Sequence, residues 1–338
     1  MYIRMTSLLL SSHTSKLAFR ITSTEPCYSA RLFVASHGRR RASKGCYSQR
    51  TRAAAQLGEP WSIYDDPALY DHVFPGRDFA AEVDFLFDVF QKHAKVGEGL
   101  EKPNILLELG CGPARHSIQA VQRGASRAIG VDNSAAMLGH ARHLAAEAGV
   151  AAELVQGTLG SVSKTLQLGP QAHVAYFLFG TLCHALTNED ALAWLRDAAA
   201  CVAPGGLIVA ELEHPGDIFD GTLIEGDEWP VDGREPEEQL MFVYGTNMDD
   251  FNPVTQVHTR TVRLTRRETS RKKWELIGEC SVEQKAFTVS EVALLAKLVP
   301  LEVAWYYGDL DIEVDSLFHE SASRMVVILR KPLDSGAV

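Results

Sequence analysis

The sequence predicts an α/β protein: an open, mostly parallel sheet with helices on both faces, interrupted late in the chain by an antiparallel β insert. Three observations carry this. A short apolar run, Ile105-Leu106-Leu107 with Leu109, leads into Gly110-Cys111-Gly112 and then into a helical pattern at Ile118, Ala120 and Val121. Apolar runs and helix-period segments then alternate as far as residue 212. Between 213 and 285 the alternation gives way to turn residues and two or three stretches that read as antiparallel strands.

The chain of 338 residues is long enough for one large domain, or one domain with an insert. No run of 18 apolar residues is present, so no spanning helix is predicted. The six cysteines form no CxxC pair, which argues against a zinc site or a disulfide framework. The net charge is −10, but residues 1–52 hold ten Lys/Arg and one acid, Glu25, for +9. The rest of the chain therefore carries −19 (−10 less +9), a poor surface for general nucleic-acid binding.

Taken in order, residues 1–52 are rich in Ser, Thr and Arg, the composition of a transit peptide to the mitochondrion or plastid, with a disordered basic tail as the alternative. Residues 53–100 are an aromatic lead-in (Trp61, Tyr64, Tyr70, Phe74) and a helix capped by Asp78, with Phe79, Val83, Leu86, Phe87 and Phe90 at helical spacing. The first strand, 105–109, ends in a glycine turn at a helix start, where a ligand can lie against bare backbone. Glu108 would suit a ligand bringing a positive charge. The second strand, 128–131, ends in Asp132, twenty residues after Gly112, where an acid can accept hydrogen bonds from a ribose. Nicotinamide and flavin proteins share that logic, but their fingerprint asks for glycine where this chain has Arg115. Ser134 is the expected cap of the next helix. The third strand, 151–155, runs into Gly157-Thr158, and the fourth, 174–178, into Phe179 and His184 at the ligand-binding edge. Asn188 is the expected cap of the following helix. A fifth strand, 207–212, follows Ala203-Pro204-Gly205-Gly206, with His214 just beyond it. Residues 213–285 read as a lid: turns over 215–236, then strands at 239–244, 255–264 and 273–283, locally basic from Arg260 to Lys273. That run reads first as a solvated hairpin, with an anionic substrate or RNA as the alternative. Ser290 is the expected cap of a helix, followed by strands at 301–305 and 324–329 and a tail at 332–338.

Together, Glu108-Leu-Gly110-Cys-Gly112, Val131-Asp132-Asn133-Ser134 and the Pro-Gly-Gly turn resemble the motifs of class I S-adenosylmethionine-dependent methyltransferases, over about 60–331. The resemblance implies a Rossmann-like seven-stranded sheet with its last strand antiparallel, with 101–212 and 286–331 forming the core. It implies S-adenosylmethionine as cofactor, its methionine end against Gly110, Gly112 and Ala114 and its ribose on Asp132. Asn133 and Met137 would flank the adenosine, with Gly157, Thr158 and Phe179 near adenine. Tyr70 and Arg115 join this expected cofactor set. Thr158 stands where the family usually has an acid, leaving adenine to backbone groups or the threonine hydroxyl. His184 and His214 are the candidate bases; Tyr64, Tyr70 and Tyr307 are candidate pocket walls. The motifs of DNA-base and protein-arginine methyltransferases are absent. The expected acceptor is therefore an N or O nucleophile of a small molecule. A non-catalytic scaffold of the same fold, an RNA methyltransferase and a nicotinamide oxidoreductase are the rival readings. The sequence carries no sign of oligomeric state.

Overall fold

The computed structural model describes residues 61–333, except 75, 98–99, 168–170, 234–236 and 271–272. The basic segment 1–52, read as a transit peptide, lies outside the described residues, as does most of the tail.

A 3-10 turn, Ile63–Asp65, precedes α1 (Pro67–Val73) and α2 (Phe79–His93). Asp78 caps α2 as expected, accepting from the amides of Ala80 and Ala81. Then come β1 (Ile105–Leu109), α3 (Arg115–Gln122), β2 (Arg127–Asp132), α4 (Ala135–Glu147), β3 (Glu153–Gln156), α5 (Val162–Leu166) and β4 (Ala172–Phe177). Next are α6 (Asn188–Cys201), β5 (Val202–Glu213) and α7 (Pro215–Asp220). The insert supplies β6 (Asp227–Asp232), β7 (Glu238–Tyr244), β8 (Phe251–Asn252), β9 (Val257–Glu268) and β10 (Glu275–Lys285). The chain returns through α8 (Val289–Leu298), β11 (Glu302–Tyr307) and β12 (Arg324–Arg330).

The main sheet has seven strands in the order β3-β2-β1-β4-β5-β12-β11. Neighbours from β3 to β5 are parallel, and β12 runs antiparallel to both of its neighbours, as the resemblance implied. Successive residues of a strand face opposite sides, and both sides here are apolar. Leu106, Val174, Tyr176, Leu207 and Val209 pack with α2 and α3, whereas Leu107, Ala175, Phe177, Ile208 and Ala210 pack with α5, α6 and α8. Continuous apolar runs rather than alternation are what such doubly covered strands require.

The insert folds into a second, antiparallel sheet ordered β10-β9-β7-β6, with β8 added on β9. Its inner residues Val231, Leu240, Phe242, Val262 and Leu264 share one apolar cluster with Ile63, Leu69 and Val73 of the lead-in.

Several local expectations are corrected. Thr187, not Asn188, caps α6, and its hydroxyl accepts from the Asp190 amide. Thr288, not Ser290, caps α8 and forms a capping box with Glu291. The stretch 215–236 is not all turns, since it contains α7 and the edge strand β6. No helix among the described residues is long and apolar enough to cross a membrane.

Candidate active site

The site begins where β1 ends. Gly110 takes φ +75°, and a Cβ there would lie 2.6 Å from Cγ2 of Thr181. Gly112, at φ +51°, faces open space. Its amide donates to one carboxylate oxygen of Asp132 at 2.8 Å, and the Ser134 amide donates to the other at 2.8 Å. The end of β2 is thereby fixed against the glycine turn. Each carboxylate oxygen keeps capacity to accept a further hydrogen bond. Ser134 also caps α4, taking the Met137 amide on its hydroxyl.

One cavity of about 420 Å³ opens over this turn. Tyr70, Glu108, Gly110, Gly112, Arg115, Asp132, Asn133, Met137, Gly157, Thr158, Phe179 and His184 all line it. The other two expected residues do not. Ala114 is fully buried in a left-handed conformation (φ 55°), packed with Cys111, Leu138 and Ala141, so it shapes the turn from behind. His214 caps α7: its Nδ1 accepts from the Gly216 amide and its Nε2 donates to the Leu317 carbonyl, leaving no free ring nitrogen. Tyr307 is buried in the α2 side of the core against His93, also away from the cavity.

Glu108 does line the cavity, but the cation it faces is the protein's own. It accepts from the Ser117 hydroxyl at 2.6 Å, the Ser117 amide at 3.0 Å and His116 Nδ1 at 3.1 Å. His116 Nε2 donates to Glu82 of α2 at 2.6 Å. Burial pulls the His116 pKa down, but hydrogen bonds to Glu108 and Glu82 outweigh it and raise the value to about 9. Glu82 also accepts from Arg77 at 2.7 Å, and Arg77 and Arg324 both donate to Glu211 of β5. A buried network of three acids and three cations thus ties α2, α3, β1, β5 and β12 together. Glu211 reaches the site as well, accepting the Phe179 amide at 2.6 Å and holding Phe179 at φ 59°.

The lead-in and the insert cover the cavity. Arg115 forms a bidentate ion pair with Asp71 of α1. Trp229 Nε1 donates to the Val73 carbonyl at 2.8 Å, joining the lead-in to β6. Rings crowd beneath: Tyr64–Tyr70 at 5.7 Å, Tyr70–Phe74 at 5.2 Å, Phe74–Phe179 at 4.9 Å and Phe74–Tyr244 at 6.3 Å between centroids. Phe179, expected near adenine, has its ring in this group, with Arg77 4.5 Å from its centroid. His184 presents its ring edge-on to Tyr64 at 6.4 Å, and no side-chain hydrogen bond holds it among the described residues. Burial lowers its pKa, so the imidazole is neutral at pH 7.

Sequence reasoning missed His116 as the partner of Glu82 and Glu108, as well as Trp194, Tyr244 and Gln284 in the wall. No local spacing announces them; each arrives from another element. In the basic insert, Arg260 is buried, paired with Glu213 at 3.1 Å and stacked on Tyr244. Arg263 and Arg266 pair with Glu279 and Glu275 of the neighbouring strand.

Comparison with known proteins agrees with this geometry. Residues 106–206 match a family model described as a methyltransferase domain. No curated protein matches by sequence. Among solved structures, an S-adenosylmethionine-dependent methyltransferase from Clostridium acetobutylicum superimposes with a TM-score of 0.61 at 12% identity, covering 80% of this chain and 100% of that one. An amino pentose methyltransferase of calicheamicin biosynthesis from Micromonospora echinaspora gives 0.59 at 18%, covering 81% and 99%. A sugar N-methyltransferase from a Streptoalloteichus species gives 0.58 at 18%, covering 86% and 99%. At such identities these likenesses speak for the fold alone. With the domain matched over 106–206, the strand order and the cavity over the glycine turn and Asp132, the chain carries a methyltransferase domain of Rossmann-like fold, an enzyme whose methyl donor is S-adenosylmethionine.

Proposed function

We propose that the enzyme methylates a nitrogen or oxygen nucleophile of a small molecule held beneath the insert. The observation carrying this reading is the cover: α1 and the insert wall the cavity with aromatic rings, leaving a space of about 420 Å³ over the glycine turn. The paired charges of the insert and the acidic body give a nucleic acid little to hold. Two of the similar structures are sugar methyltransferases by description, which fits the same reading.

S-adenosylmethionine supplies an activated methyl group for in-line displacement. The residues lining the cavity would orient it: Gly110 and Gly112 would admit its methionine end to bare backbone, Asp132 would accept from the ribose hydroxyls, Asn133 and Met137 would flank the adenosine, and Gly157 and Thr158 would border adenine. Alignment of this kind contributes roughly 7–11 kcal/mol to a two-reactant step. His184, neutral and without a hydrogen-bonding partner, accepts the proton that the nucleophile loses.

Two measurements test this. Calorimetry should show binding of S-adenosylhomocysteine, weakened about tenfold to a hundredfold in Asp132→Ala, since hydrogen bonds to a charged group contribute about 1.5–3 kcal/mol. Labelled-methyl transfer should mark a small-metabolite extract and not total RNA, and His184→Gln should slow it about 10²-fold or more. Label found in RNA alone would overturn the small-molecule assignment. We also propose that residues 1–52 direct the chain to an organelle, which a fluorescent fusion of that segment tests; diffuse cytosolic signal would refute it.

A further inference from the structure

The small-molecule reading leaves the acceptor atom open, and the cavity wall bears on it. Every acid lining the cavity already has a partner. Asp71 is paired with Arg115, Glu108 with His116 and Ser117, and Asp132 with two backbone amides. The two cations of the lining, Arg115 and His116, are engaged in the same pairs. What remains on the covering wall is uncharged: the rings of Tyr64, Tyr70, Phe74, Phe179 and Tyr244, the His184 imidazole and the Gln284 amide. Neither tyrosine hydroxyl of the lead-in, at 64 or 70, has a hydrogen-bond partner among the described residues.

A wall of this composition suits one kind of acceptor. A free carboxylate beside an amine would hold it firmly as the ammonium, which has no lone pair to give, and the lining offers no such carboxylate. As the new bond forms, positive charge arrives on the acceptor, and aromatic faces attract a cation without fixing its position. Such a wall therefore interacts more strongly with the transition state than with the neutral substrate, which is what accelerates a reaction. A hydroxyl acceptor sheds its proton as the bond forms and ends neutral, so it gains no lasting charge for such a wall to attract.

We infer that the acceptor is an amine that reacts neutral and is stabilised as an ammonium, as the new bond forms, by an aromatic wall of Tyr64, Tyr70, Phe74 and Tyr244. The nitrogen lone pair forms the new N–C bond while the C–S bond breaks. That bonding pair stays on sulfur, which passes from sulfonium to neutral thioether. The nitrogen, now positive, releases its proton to His184, which becomes imidazolium.

The inference rests on the small-molecule reading and is tested separately from it. The full chain is saturated with S-adenosylhomocysteine and titrated with choline, or with 3,3-dimethylbutan-1-ol, which has the same shape and no charge. Choline should bind at least tenfold tighter than the alcohol. Tyr64→Leu should cost choline about tenfold and leave the alcohol within twofold, whereas Tyr64→Phe, which keeps the ring, should retain choline binding. Equal affinities, no binding of either probe, or equal losses of both in Tyr64→Leu would overturn the amine assignment. Absence of S-adenosylhomocysteine binding would instead remove the donor assignment on which it stands.

Discussion

His116 holds its proton between two carboxylates that lie far apart in the chain, and that proton is part of the fold. Burial opposes the charge, but the bonds to Glu108 and Glu82 raise the folded pKa from its ordinary 6.5 to about 9. A pKa raised on folding contributes stability that is complete below the unfolded value and is lost as pH climbs through the folded one. The thermal midpoint should therefore fall between pH 7 and pH 10. In His116→Gln it should start lower and vary less over that range; a midpoint as pH-dependent as in the unsubstituted chain would refute the assignment. That Gly110, Gly112 and Asp132 come together was legible in the sequence, because it depends on spacing within one strand–turn–helix–strand unit. His116 was not, because Glu82 reaches it from another helix, 34 positions away. His214 misled for the converse reason: it follows a sheet strand, as a base should, but turns to cap the next helix.

At the scale of elements, the alternation of strands and helices was read nearly in full, and the errors fell where two neighbouring residues could do one job. Thr288 and Ser290 both carry a hydroxyl suited to a cap. Glu291 stands three residues after Thr288, close enough for its carboxylate to accept from the Thr288 amide, and this decides between them. Thr288→Ala should cost about 1 kcal/mol, while Ser290→Ala should stay within about 0.5 kcal/mol; denaturant titration of both variants reads the contrast, and equal losses would contradict the cap. Strand β6 was hidden by its flanks: Gly226 and Gly233 bracket it, and Pro230 sits within it, a residue tolerated only at edges. In the structure β6 is the edge, paired on one side with β7.

For the molecule as a whole, the motif resemblance indicated an enzyme body and the break in strand–helix alternation a lid, but nothing in the order of residues showed that the lead-in and the insert would meet. They do so through Phe242, Leu264 and Val73, which belong to segments more than 150 positions apart yet share one core. Emptying that core should loosen both segments together. Phe242→Ala, with an expected cost of about 3–5 kcal/mol, should raise hydrogen exchange at 63–73 and at 229–264 in parallel; faster exchange in one segment alone would argue against a shared cover.

The two flaps are thus a single door, and a single door imposes a queue. The glycine turn and the rings line one cavity beneath that shared cover, so the donor should arrive first and its spent form should depart last. Initial-rate kinetics should then follow a compulsory sequence, with S-adenosylhomocysteine competing against S-adenosylmethionine and not against the acceptor; random binding would mean that each flap swings open independently of the other.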